Sequence, residues 1–240
     1  MTSAAADEES PGAGQPWLPD DAAALADRIR SLHRPGRRVL IGIVGAPGSG
    51  KSTLSAAVLA HLTAGEAPLK AALVPMDGYH LAQHVLDEAG LAEIKGAPQT
   101  FDAAGFVALL ERIAGSRSDG GPAAEVIYAP EFRRALEEPI AGAVEVRPDV
   151  EVVLTEGNYL LSDEPPWHRV RELLTEVWYL DVPEELQIER LISRHIAFGR
   201  TPAVSLERAT TGTDGRNARY VLRTRPRADL LIRPVVVDDA

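Results

Sequence analysis

The chain has 240 residues, 45% hydrophobic and 25% charged, with a net charge of −10 and no cysteine. That length and apolar content suit one domain able to bury an ordinary core. The acidic balance argues against a broad nucleic-acid-binding face, and the lack of cysteine excludes disulfides, thiolate metal sites and cysteine nucleophiles.

No apolar run reaches the roughly 18 residues of a membrane span. The segment Met1–Ser10 is acidic where a secretory signal is basic and then apolar. The expectation is a cytoplasmic protein with no membrane or nucleic-acid partner.

Residues 1–19, rich in Ala, Gly, Pro and acids, are expected to be disordered. Asp20-Asp21 opens a helix running to about Leu32, with Ala24, Leu25, Ile29 and Leu32 on one face. The apolar, β-branched run from Arg38 to Val44 reads as a buried strand. Gly45-Ala46-Pro47-Gly48-Ser49-Gly50-Lys51-Ser52 follows and fits G-x-x-x-x-G-K-[ST] at every fixed position. A helix then runs from Ser52 through Ala60. Strand, loop and helix in that order are the context a phosphate-binding loop requires. Its glycines turn backbone N–H groups toward one point, and the helix N-terminus adds its positive dipole end. Lys51 then reaches the β- and γ-phosphates of a nucleotide, and the Ser52 hydroxyl serves Mg²⁺.

A second strand, 71–76, ends at Asp77-Gly78. Helical stretches at about 80–90 and 102–114 flank Lys95–Asp102, and Gly115–Pro122 has the composition of a surface loop. Further strands are expected at 124–128, 150–155 and 177–180, a helix opening at Pro183, and a last strand at 228–232. Strands alternating with helices predict an α/β fold of the P-loop NTPase type, a three-layer arrangement with a parallel sheet flanked by helices.

GTPases, motor ATPases and small-molecule kinases share the loop, so the rest of the chain must decide. No Lys is followed by the Asp of an Asn/Thr-Lys-x-Asp guanine clamp. Asp102-Ala103-Ala104-Gly105 matches a GTPase D-x-x-G pattern, but it opens a helix, where Asp is a common N-cap. Asp77 is more telling, because it puts a carboxylate at the carboxyl end of a strand, where open α/β sheets bind ligands. A kinase needs such a group to orient an acceptor hydroxyl and take its proton. Taken alone, Asp77-Gly78 reads better as a turn. His80 and His84 share a helix face, but with no Glu beside His80 and no third ligand they do not read as a zinc site.

The chain resembles the phosphoribulokinase/uridine kinase/pantothenate kinase group of P-loop kinases, most closely its nucleoside/nucleotide kinase-like (fructose-transport-system kinase-like) branch. The resemblance rests on Gly45–Thr53, Pro75–Leu81, Lys95–Asp102, Ile127–Arg134, Glu156–Leu161 and Arg194–Gly199, in the family's order. It implies a domain over 20–240 with a lid at about 190–216. It also implies ATP and Mg²⁺ as cofactors, and transfer of the γ-phosphate to a hydroxyl of a small metabolite such as a sugar, nucleoside or pantothenate. Asp77 is then the acceptor-side base, and Gly45 through Thr53 hold ATP. Asn217 falls in a segment that lies near the nucleotide base in this group.

Glu156 matches the family's Glu-Gly as the second metal-site residue beside Ser52, whereas Asp181 fits the apolar-run-then-Asp pattern better by letter. Glu156 is preferred, since Asp181 sits beside a helix N-terminus that favours a carboxylate in any case. The resemblance implies that Arg194 and Arg200 belong to a lid that closes over phosphates; Arg190, one turn before Arg194, shares its helix face. The resemblance places Tyr79 and His80 beside the acceptor site, with Tyr128, Phe132, Arg133, Arg134, Asn158, Tyr159 and Trp167 as further candidates. The alternative function is a P-loop regulatory ATPase that binds nucleotide and has no small-molecule acceptor. A homodimer is the default oligomer.

Overall fold

A computed structural model describes residues 15–65, 67–116 and 125–234. Its centre is β2 (Val39–Val44), after the short β1 (Trp17–Pro19) and α1 (Ala22–Leu32). All six β2 residues are buried because the strand is covered on both faces, which is why it reads as an unbroken apolar run. It leads into α2 (Lys51–Thr63), then β3 (Ala71–Leu73), α3 (Gln83–Glu88) and α4 (Ala103–Gly115). A hairpin of β4 (Ile127–Arg133) and β5 (Glu138–Val146) precedes β6 (Val152–Gly157), α5 (Val170–Leu173) and β7 (Glu176–Leu180). The chain continues through α6 (Glu184–Ala197), α7 (Pro202–Thr210) and α8 (Thr213–Thr224) to β8 (Leu230–Arg233).

Six strands form one parallel sheet in the order β1-β8-β7-β2-β6-β3. Side chains of β2 alternate between two cores. Val39, Ile41 and Ile43 meet Leu25 and Ile29 of α1 and Val58 and Leu62 of α2. Leu40 and Val44 face Phe106 and Leu110 of α4 and Val221 of α8. The three-layer α/β fold is as expected.

Asp21 caps α1 by accepting from the Ala23 and Ala24 amides, and Asp102 caps α4 by accepting from Gly105 N at 2.8 Å. The D-x-x-G match is thus a helix cap.

Two expectations need correction. Disorder does not extend to residue 19, because Trp17–Pro19 is a strand pairing with β8, held at its ends by Leu231 N to Pro16 O at 3.0 Å and Asp20 N to Arg233 O at 2.9 Å. Backbone groups make that strand, so a composition poor in β-formers does not prevent it; the rest of the expected tail, 1–14, lies outside the described residues. The strand expected at 124–128 is instead a longer arm paired with β5, with a bulge between Ala129 and Glu131 that accommodates Pro130. Most of the loop expected at Gly115–Pro122 lies outside the described residues. The stretch expected as a lid, 190–216, takes in the second half of α6, all of α7 and the first turn of α8.

Candidate active site

The phosphate-binding loop leaves β2 and enters α2 at the carboxyl edge of the sheet. Gly50 caps α2 with φ +94°, a left-handed value that turns the loop amides inward without a Cβ penalty. Gly48, at φ +81°, lies so close to α6 that a Cβ there would come 2.5 Å from the Gln187 carbonyl oxygen. Arg190 fastens the same junction, donating from Nη1 to the Ser49 carbonyl at 2.9 Å. At the start of α2 the Ser52 hydroxyl donates to Oε1 of Glu156 at 2.8 Å. Glu156 closes β6 and is 5% exposed. Burial pushes its carboxyl pKa up, against the pull of the Lys51 ammonium. Burial likewise lowers Lys51, which Glu156 and Asp77 oppose.

Asp77 stands on a tight turn, Met76–Tyr79, just beyond β3. Gly78 is obligatory there, since a Cβ would lie 2.2 Å from the Pro130 carbonyl oxygen of β4. The Asp77 carboxylate lies 3.7 Å from Arg134. With Lys51 it lines a cavity of about 430 Å³, together with His80, Phe132, Arg134, Asn158, Arg194, Arg200 and Asn217. His80 packs between Phe101 and Phe132, with ring centroids 4.0 and 4.8 Å away, and its Nδ1 lies 2.8 Å from the Asp77 carbonyl oxygen. A carbonyl only accepts, so Nδ1 carries the proton. Burial pushes the His80 pKa down. The Asn158 Oδ1 is buried without a hydrogen-bond partner, an acceptor left open in the cavity wall.

Other expected residues lie elsewhere. Tyr79 turns into the core with its ring edge-on to Phe106 at 5.3 Å, and burial pushes its hydroxyl up to about 12. Tyr128 is 57% exposed on the hairpin, because the bulge at Pro130 breaks the alternation linking it to Phe132. Arg133 pairs with Glu131 at 2.8 Å outside the cavity, and its neighbour Arg134 enters instead. Tyr159 is fully buried; its hydroxyl donates to the Gly96 carbonyl at 2.5 Å, and its ring joins Phe101 and Trp167. Asn217, expected near the base, does line the main cavity, where its Nδ2 donates to that same Gly96 carbonyl at 2.8 Å. Asp181 lies outside the cavity with its Oδ2 held by Arg225 at 2.7 Å and Arg233 at 3.2 Å.

Sequence reasoning missed Lys95, Arg208 and Asp214 as cavity residues. Lys95 donates to the Glu137 carbonyl at 2.8 Å and stands 5.4 Å from the Phe132 ring centroid. Its place in the Lys95–Asp102 stretch was the available signal; Arg208 carried none. A second cavity, of about 440 Å³, opens on the other flank of the loop. Ser49, Gly50 and Thr53 border it with Leu54, Ala57, Leu180, Val182 and Arg190. Among the described residues no helix is long and apolar enough to cross a membrane.

The model of the phosphoribulokinase/uridine kinase family matches residues 40–239. A Schizosaccharomyces pombe protein named "Putative uridine kinase" is 32% identical over 215 residues, covering 87% of this chain and 88% of its own. A crystal structure from Silicibacter sp. TM1040, described as a "putative fructose transport system kinase", is 39% identical with a TM-score of 0.77, covering 88% of this chain and 98% of that one. Saccharomyces cerevisiae YFH7, a "putative P-loop containing kinase with a circular permutation", shares the fold at a TM-score of 0.76 and 20% identity, covering 89% of this chain and 98% of its own. With its phosphate-binding loop, its strand-end carboxylates and a family match across most of its length, the chain belongs to the phosphoribulokinase/uridine kinase family of P-loop kinases.

Proposed function

We propose that the protein transfers the γ-phosphate of ATP to a hydroxyl of a small metabolite. The observation that carries this reading is one cavity shared by the loop lysine Lys51 and the turn carboxylate Asp77. A phosphoryl donor held by the first thereby meets an alcohol held by the second.

The loop amides and Lys51 bind the phosphates, with the dipole of α2 behind them. The nucleotide base fits the second cavity, where Leu54, Ala57, Leu180 and Val182 offer an apolar wall and Arg190 a planar cation. Ser52 and Glu156 are hard oxygen donors side by side at the loop, which suits Mg²⁺. Bound there, Mg²⁺ supplies charge neutralisation beside the phosphates. Asp77 accepts the proton of the acceptor hydroxyl as its oxygen bonds to the γ-phosphorus and the bond to the departing ADP oxygen breaks. Arg194 and Arg200 stabilise the charge spread over the transferring group. His80, Phe132, Arg134 and Asn158 form the acceptor wall. Its mix of an aromatic face, a guanidinium and an open amide oxygen suits a polar, hydroxylated metabolite of the sugar, nucleoside or pantothenate kind.

The test is ADP release with ATP and Mg²⁺ across a metabolite panel that begins with uridine and fructose, the compounds named for the relatives. A rate raised by one member and abolished by Lys51→Ala supports the reading. A slow rate indifferent to every metabolite would leave a nucleotide-binding ATPase in its place.

A further inference from the structure

The lid carries three guanidiniums into the main cavity, on Arg194, Arg200 and Arg208. Among the described residues none of them forms an ion pair with a carboxylate, and the Arg208 Nε is buried without a partner. Several half-buried guanidiniums elsewhere in the described residues take a carboxylate, Arg225 and Arg233 holding Asp181, Arg171 holding Asp229 and Arg28 holding Glu176, while Arg38 is satisfied by backbone carbonyls and Ser116. A carboxylate is also present in the lid, since Asp214 lines the same cavity. What separates it from one of them, Arg200, is an imidazole.

His195, in the last turn of α6, is buried, its side chain 9% exposed. Its Nε2 lies 2.6 Å from Asp214 Oδ2 at the start of α8, and its Nδ1 lies 3.0 Å from Arg200 Nη1. A guanidinium has no acceptor, so Arg200 donates and Nδ1 must present its lone pair. The ring proton therefore sits on Nε2 and goes to Asp214, so the two partners fix a single neutral tautomer. We propose that His195 is a positioning residue with two tasks, holding Arg200 in the cavity and occupying Asp214 so that it cannot pair with Arg200. The inference rests on the reading that those guanidiniums serve phosphate. Burial, with Arg200 and Arg194 nearby, disfavours the charged imidazole more than Asp214 favours it, which keeps Nδ1 free to accept.

Removing the imidazole frees Asp214 to compete with phosphate for Arg200. The expected loss in nucleotide affinity is about tenfold, the scale of one charge-assisted hydrogen bond. The experiment is a calorimetric titration of a non-hydrolysable ATP analogue with Mg²⁺ into the full chain and into His195→Ala, Asp214→Asn and the double variant. His195→Ala weakens binding, and adding Asp214→Asn recovers part of the loss because the competitor is gone. A merely structural histidine predicts the reverse, a double variant as weak as His195→Ala or weaker, and that result overturns the proposal. So does unchanged affinity in His195→Ala.

A second measurement stands even if His195→Ala fails to fold. Long-range ¹⁵N–¹H correlation on the labelled wild-type chain at neutral pH should show a pyridine-like Nδ1 and a pyrrole-like Nε2. A protonated Nδ1 would refute the arrangement. If the wild-type chain bound no nucleotide, the kinase reading itself would fall, and the tautomer would still decide the role of His195.

Discussion

Two carboxylates compete for the metal-site role, and the structure predicts that their variants fail in opposite ways. Asp181 accepts from Arg225 at 2.7 Å and Arg233 at 3.2 Å, and the three side chains are 23%, 23% and 28% exposed. Its backbone N–H also donates to the Ile232 carbonyl at 2.7 Å, so the residue ties the end of β7 to β8. Hydrogen bonds to charged groups contribute about 1.5–3 kcal/mol each. Asparagine keeps a neutral acceptor, and water reaches the partners, so Asp181→Asn should cost about 2 kcal/mol in all. For a domain of this size that lowers Tm by about 4–8 °C. Its magnesium-dependent rate should stay near that of the wild type. Glu156→Gln should do the opposite. Burial penalises the Glu156 charge, and glutamine still accepts from Ser52, so the melting temperature should hold or rise. On the role proposed for Glu156 beside Mg²⁺, the rate should fall by about a hundredfold as that oxygen loses its charge. The assay pairs thermal melts with ADP release over a magnesium titration. Loss of magnesium dependence in Asp181→Asn, with Glu156→Gln still active, would exchange the two roles and refute the reasoning.

Lys51→Ala should abolish turnover without lowering the melting temperature, because burial already disfavours its charge in the free protein; circular dichroism melts and ADP release check both halves. Gly78→Ala should cost about 1–3 kcal/mol and slow transfer as well, since the new Cβ meets the Pro130 carbonyl and must push the Asp77 turn away. Stability should also fall on acidification. Burial sets the folded pKa of His80 below its unfolded value, so the unfolded chain takes up the proton first. The fold is therefore fully stable above the ordinary histidine range of about 6.5 and loses stability as pH falls through it toward the lower folded value. Melts at pH 7.5 and 5.5, about one unit to either side of that range, should show the drop, and His80→Gln should reduce it.

The parts legible in the sequence are those whose cause is local. Strands β2, β6 and β7 are covered on both faces, so apolar residues follow one another in them, as in Val39–Val44, Val152-Val153-Leu154 and Val177–Leu180, and the loop glycines announce the turn that Gly50 makes. The outer strand β5 includes Pro139 and an exposed Ala141-Gly142-Ala143 stretch, which leaves no apolar period to read. In the candidate site, the strand-end position of Asp77 was visible, but the direction of its neighbours was not. Tyr79 is turned inward by a tight turn and Tyr128 outward by a bulge, and neither device shows in residue spacing. Asp181 fitted its pattern by letter because the guanidiniums that claim it stand 44 and 52 residues further along the chain. Arg134, Lys95 and Arg208 meet only through the tertiary fold.

The measurement that bears most directly on the central claim is a single-turnover transfer from ATP labelled at the γ-phosphate, using the acceptor found in the panel. Wild type and Asp77→Asn should be compared, with an ATP titration on each. The account predicts label in a phosphate monoester of the acceptor alcohol. Asp77→Asn should bind ATP normally yet transfer at least about a hundredfold more slowly, because an amide cannot take the hydroxyl proton. A near-normal rate in Asp77→Asn, or label released only as free phosphate, would contradict it.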